Sequence, residues 1–296
     1  MKNLLFKFVC VGIAVGMLMA CGGGSGSSSS SSTASSATNC KTTAVTLSSG
    51  LPPGMTTLSG LSTNYVTSVT AGTSNVVIVT KDVPTHASPY CSATQTVTGC
   101  TNESASLSSP NYYNNLLFGS TTYSQNPYYV HVGSGGLSTT MSYTITIPLQ
   151  PACASTSTST SQDAIGIAKN GIVFFNQYAA GNAVLSGEVA GFDRYGGHPA
   201  QSGNYHYHVE PRYLTTSTVG GGTGTQSSLI GWALDGFPVY GPTNSSGTAV
   251  SLDACNGEYH ATTEYPAGIY HYHVTNSSPY LVGCYAGTPG TKVLTP

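Results

Sequence analysis

Charge is scarce in this chain. Only 6% of its 296 residues are Asp, Glu, Lys or Arg, and the formal net charge is −2. Beyond the N-terminal leader the basic residues are Lys41, Lys81, Lys169, Arg194, Arg212 and Lys292, set against ten acids. No basic patch results, which excludes a nucleic-acid partner, since phosphate binding needs clustered cations. Long apolar runs are also missing. The one candidate, Phe8 to Met19, is too short to cross a bilayer. No C-x-x-C pair occurs, so a thiolate metal site is excluded. Phosphate loops, dinucleotide fingerprints and Gly-x-Ser-x-Gly elbows are absent from any persuasive context. Over residues 39–152 helical periodicity never survives more than two turns. What remains is 39% hydrophobic, with 20 Tyr, 36 Gly and 16 Pro. That is the usage of an exported, β-rich protein with enough apolar surface for a core.

Residues 1–20 read as a signal peptide, with Lys2 and Lys7 before the apolar run. Leu18-Met19-Ala20-Cys21 resembles a bacterial lipobox, which implies cleavage before Cys21 and lipidation of its thiol. Residues 21–38 are a Gly/Ser-rich flexible tether. Gly22, rather than Asp, follows the lipidated position and favours the outer membrane in a diderm. The expectation is an exported protein that touches the membrane only through the Cys21 lipid. Six cysteines remain, and three disulfides among them allow 15 connectivities. The preferred set pairs Cys91 with Cys100 and Cys255 with Cys284 as local bridges. Cys40 with Cys153 then clamps the two ends of a first domain.

The fold class expected is mostly β. Residues 39–152 read as a β-sandwich-like domain, with strand signals at Val76 to Thr80, Tyr128 to Val132 and Met141 to Ile147. The Ser/Thr run from Ser155 to Ser161 reads as a linker. Residues 162–296 contain a tandem duplication. Ile165 to Phe175 aligns with Ile230 to Tyr240, and Gly203 to Val209 aligns with Gly268 to Val274, both at an offset of 65 residues. The repeats are thus about 165–209 and 230–274. Asn170-Gly171 and Asp235-Gly236 are hairpin signals in equivalent places, and Pro238 makes its strand an edge or a short one. A duplicated unit packing about a pseudo-twofold axis is expected to bring its two copies of Tyr-His-Tyr-His together.

Those tetrapeptides, Tyr205 to His208 and Tyr270 to His273, carry the candidate chemistry. On a strand His206 and His208 share one face, as do His271 and His273, so each pair can converge on one cation. Each repeat has a further histidine upstream, His198 and His260, preceded by Asp193 and Asp253. The aspartates read as ligands or as acceptors that fix an imidazole tautomer. Imidazole donors with few carboxylates and no thiolates point to a transition metal, copper first on the strength of export and tyrosine content, zinc second. The tyrosine faces read as packing, and His86 and His131 as incidental.

Gly196-Gly-His198, Gly203 to His208, Asp235 to Gly241, Leu252 to Gly257, Tyr270 to His273 and Pro279 to Cys284 together resemble the YHYH domain family, a bacterial and mostly exported group. The resemblance covers about residues 160–290 and implies no general activity. One departure is Glu258-Tyr259 after Asn256-Gly257, where the family pattern has histidine directly after the glycine. Three functions fit these residues. The first is a surface-tethered lipoprotein that binds a transition metal for acquisition or handling. The second is a metal-dependent exported oxidase or hydrolase, and the third a non-catalytic adhesion module with a buried His/Tyr network.

Overall fold

Both dipeptide turns form. In the computed structural model, which describes residues 37–91, 97–102, 137–138, 140–193, 195–215, 228–244 and 246–296, Gly171 and Gly236 have φ of 87° and 88°. Only glycine adopts that backbone without strain. Each glycine N–H donates to the carbonyl three residues back, Ala168 and Ala233 respectively. The expected leader, Cys21, and the strand at 128–132 with His131 lie outside the described residues.

The described strands are, in chain order, β1 (Val66–Ala71), β2 (Asn75–Thr80), β3 (Ala87–Ser88), β4 (Thr101–Asn102), β5 (Ser142–Pro148), β6 (Cys153–Ser159), β7 (Ala164–Ala168), β8 (Val173–Phe175) and β9 (Tyr178–Ala179). They continue with β10 (Ala183–Val184), β11 (Gly197–Pro199), β12 (Tyr205–Tyr207), β13 (Leu229–Ala233), β14 (Pro238–Tyr240), β15 (Gly257–His260), β16 (Ile269–His273), β17 (Cys284–Gly287) and β18 (Thr291–Thr295). Among the described residues helix is confined to single turns, so the fold is mostly β.

The largest sheet has eight strands in the order β11-β12-β8-β7-β13-β14-β16-β15. Its two halves repeat each other: β7 corresponds to β13, β8 to β14, β12 to β16 and β11 to β15. The halves meet where β7 and β13 run antiparallel with Ile167 opposite Trp232, positions that are equivalent at the 65-residue offset. A pseudo-twofold axis therefore passes between them. Gly166 and Gly231, also equivalent, flank this pair, and a Cβ on either would lie 2.5 or 2.2 Å from the facing backbone carbonyl. Glycine at both places lets the repeats join. β7 and β13 are buried along their whole length. Pro238 opens the three-residue β14, which is short and interior; as first residue it lacks a donor where none is required.

This order corrects one expectation. The Tyr-His-Tyr-His strands β12 and β16 do not meet at the axis. Four strands separate them, and five interstrand steps of about 4.8 Å put them about 24 Å apart. The histidine pairs form separate sites, because the repeats join through their hairpin strands.

β1, β2, β5 and β18 form a four-stranded antiparallel sheet. Tyr143, Ile145 and Ile147 alternate inward along β5, as do Val76, Ile78 and Thr80 along β2. This face rests on the hairpin turns of the large sheet: Thr80 Oγ1 donates to the Gly171 carbonyl, and Asp82 accepts from the Val173 N–H at 3.0 Å. One hydrophobic cluster runs through both sheets. The Ser/Thr run read as a linker is largely β6, which pairs with β17, while β18 returns to β5. Disulfides join Cys40–Cys153, Cys91–Cys100 and Cys255–Cys284, the preferred connectivity.

Candidate metal centres

In the first repeat the hairpin of β11 and β12 sets His198 directly opposite His206. His208 follows one step beyond the strand on the same face. The three imidazoles are buried, and their ligating nitrogens form one compact group. His206 Nε2 and His208 Nε2 are 3.0 Å apart. The Nδ1 atoms point away to main-chain carbonyls, His206 to Asn204 at 3.2 Å and His208 to Asn176 at 2.6 Å. An Nδ1–H that donates to a carbonyl leaves the Nε2 lone pair free for a cation. Phe175 stacks on His206 with ring centroids 3.9 Å apart, fixing the ring plane. Burial, then the neighbouring His198 and His208, hold His206 well below the ordinary histidine range, and burial brings His208 down to about 4. Both rings are therefore neutral at physiological pH, the state that binds metal.

Glu188 approaches this group from the side, with Oε2 3.5 Å from both His198 Nε2 and His208 Nε2. It sits in a segment of 3-10 turns that has no periodic pattern, so the sequence offers no signal for it.

In the second repeat Glu258 lies opposite His271 across β15 and β16, the register that His198 holds opposite His206. Its Oε1 is 3.2 Å from His273 Nε2 and 3.6 Å from His271 Nε2. Hydrogen bonds from those two histidines hold its carboxyl well below the ordinary range. Carbonyls again orient the rings: His271 Nδ1 faces Ile269 at 2.9 Å, and His273 Nδ1 faces Gly241 at 2.6 Å. His260 is exposed and stays outside this group, its Nδ1 2.8 Å from the Ala261 carbonyl. Glu258 takes the third position instead. The signal was present in the sequence, because Gly257-Glu258 replaces Gly197-His198.

Asp193 and Asp253 are neither ligands nor tautomer-fixing acceptors. They lie across the sheet from the histidines, each accepting from the first tyrosine of the tetrapeptide: Tyr205 Oη donates to Asp193 at 2.6 Å, and Tyr270 Oη to Asp253 at 3.1 Å. Each also accepts backbone N–H groups two and four residues on, at Tyr195 and Gly197 or Cys255 and Gly257. The aspartates thus shape the turn that leads into β11 or β15. The second tyrosines have matching partners, Tyr207 with Asn170 at 3.2 Å and Tyr272 with Asp235 at 2.5 Å. Burial raises Asp235 to about 6 against these bonds. His86 is buried beneath this face, its Nε2 3.4 Å from Tyr205 Oη and 3.3 Å from Tyr207 Oη. It is part of the network, not incidental.

A structural tyrosine face makes a prediction. Tyr205→Phe strips a donor from the buried Asp193 and should cost about 1–3 kcal/mol of stability, and Tyr270→Phe should cost less, because Asp253 is only half-buried. Metal stoichiometry should stay unchanged in both. Thermal melts beside metal titrations check this, and lost stoichiometry would move the tyrosines into the metal site.

Both groups fit a transition-metal ion. Bonds of about 2 Å to a tetrahedral ion place neighbouring donors about 3.3 Å apart, and the separations above bracket that figure. Three imidazoles, or two imidazoles with one carboxylate, suit zinc, copper, nickel and iron. No curated protein and no solved structure shows significant similarity to this chain. The YHYH protein family matches residues 144–250 and 243–287, which contain every donor named here. Over residues 144–287 the chain belongs to the YHYH protein family.

Proposed function

We propose that this protein is a surface-tethered lipoprotein that binds two transition-metal ions, one in each repeat, for metal acquisition or handling. The observation that carries the reading is the repeated geometry. Two groups, His198/His206/His208 and Glu258/His271/His273, each gather three donors, and the Nδ1 atoms of His206, His208, His271 and His273 are tied back to carbonyls. A buried His/Tyr network that served only packing would have no reason to aim its Nε2 atoms at one another. The exported setting keeps copper first and zinc second. Tyrosine content adds nothing to that order, because the four tetrapeptide hydroxyls face away from the donors.

A second reading, a metal-dependent exported enzyme, is favoured by a cavity of about 510 Å³ beside the first group. That volume lies in the range of small-molecule pockets.

Titration of metal-free protein with Cu(II) and with Zn(II), followed by elemental analysis, tests the main reading. Two ions per chain are expected, with a melting temperature that rises with metal. Binding of neither ion above background overturns it.

A further inference from the structure

The two repeats differ in where they place five residues. Phe175 and Tyr240 are 65 positions apart, His198 and Glu258 are 60 apart, and His206 and His271 are again 65 apart. The first repeat spends the extra length before its first donor, in the segment that carries Tyr178 and Glu188. The second spends it between β15 and β16, in the loop that carries Thr262 and Glu264. That loop folds over its own site: Tyr240 Oη is 2.8 Å from both Thr262 Oγ1 and Glu264 Oε2. Phe175, the equivalent of Tyr240, has no hydroxyl to anchor such a cover. The cavity beside the second group is accordingly only about 260 Å³, half the first.

The larger cavity is lined by the three histidines and Glu188, and also by a relay in which Ser202 donates to Asn204, Asn204 to Tyr143 at 3.3 Å, and Tyr143 to Asp163. Asp163 is held at φ 80°, a conformation that a non-glycine residue keeps only where its surroundings impose it. The remaining wall includes the apolar side chains of Phe175, Pro199 and Leu294. Among the described residues no lysine or arginine lines the cavity, while two carboxylates do. An anion finds no cationic side chain there and two carboxylates that repel it.

From this we infer that the first site keeps an exchangeable metal position opening onto a chamber for a small, uncharged organic molecule, one donor atom on the metal and an apolar ring along Phe175. The second site holds its ion without such a partner. The inference rests on the two-site metal reading, and the test separates the two.

The probes are imidazole and 4-phenylimidazole, neutral at about pH 8, added to cobalt(II)-loaded protein while the visible spectrum is followed. His271→Ala/His273→Ala leaves only the first site, and His206→Ala/His208→Ala only the second. The first-site protein should change spectrum with both probes and bind 4-phenylimidazole about tenfold more tightly, because its phenyl ring enters the apolar wall. The second-site protein should not respond. Wild type loaded with two cobalt ions should change over half its absorbance, which serves if either variant misfolds. Ala200→Phe, which narrows the chamber while replacing no donor, should erase the preference for the larger probe. Equal responses from both sites, no response from either, or no preference between probes overturns the chamber. Failure of the wild type to bind cobalt, zinc or copper overturns the metal reading instead.

Discussion

Alanine at His206, His208, His271 and His273 together is expected to abolish binding of both metal ions, and alanine at either pair alone to abolish one. Each pair supplies two of the three donors in its group, leaving His198 with only Glu188 beside it, or Glu258 by itself. One imidazole beside one carboxylate, or a lone carboxylate, is too weak a donor set to hold an ion tightly. Because even outer partners of metal ligands alter affinity by about 10–100-fold, loss of two ligands should exceed that range at the affected site. The sites are about 24 Å apart by strand count, so the losses should add independently. Metal titration of the three variants decides this: a double variant that loses both ions would mean one shared site. A second readout guards against misfolding. In the metal-free wild type His206 sits well below the ordinary range and His208 at about 4. Between about pH 6.5 and 4 the unfolded chain binds protons that the folded chain refuses. Stability is therefore full above that window and falls as pH drops through it. Melting curves of His206→Ala/His208→Ala should show a shallower acid decline.

Much of this architecture was legible because it depends on backbone conformations that few residues permit. Asn170-Gly171 and Asp235-Gly236 announce hairpins, since φ near +87° selects glycine. The alternation of Tyr143, Ile145 and Ile147 announces a half-buried strand. The repeat and the disulfide set were readable for similar reasons of spacing and parity. How the repeats join was not. A twofold axis can bring any pair of equivalent edges together, and the choice of β7 against β13 rests on Gly166 and Gly231 allowing close approach. Nothing in their local sequence distinguishes that role from a bulge.

The donors divide in the same way. The His-x-His pairs follow from strand alternation alone. His198 and Glu258 follow from their place after an equivalent glycine, and His260 misled because residue type drew more weight than register. Asp193 and Asp253 misled because loop spacing says nothing about the face on which a side chain emerges. Glu188 reaches the first group through tertiary folding of an aperiodic segment, which no local pattern encodes.

Replacing Cys255 and Cys284 by serine should lower stability by about 3–4 kcal/mol by the chain-entropy estimate for a loop of this size, and should weaken the second metal site alone. The bridge spans 29 positions, and Glu258, His271 and His273 all lie inside the loop. The coupling is local and mechanical. Cys255 N–H donates to Asp253 Oδ1 at 2.9 Å, and Gly283 N–H donates to the Cys255 carbonyl at 3.0 Å. This turn hands the chain to β15 in the register that puts Gly257 opposite Tyr272 and Glu258 opposite His271. Without the covalent tie the turn is free to fray, and Glu258 loses its place beside the two imidazoles. His198, His206 and His208 lie outside the loop, on the far half of the eight-stranded sheet. Calorimetry of Cys255→Ser/Cys284→Ser should therefore show a lower melting temperature, and titration should show one tight ion and one weakened ion. Equal weakening at both sites would mean that the bridge acts through global stability. Two unweakened ions would mean that the strand pairing of β15 with β16 suffices to hold the donors.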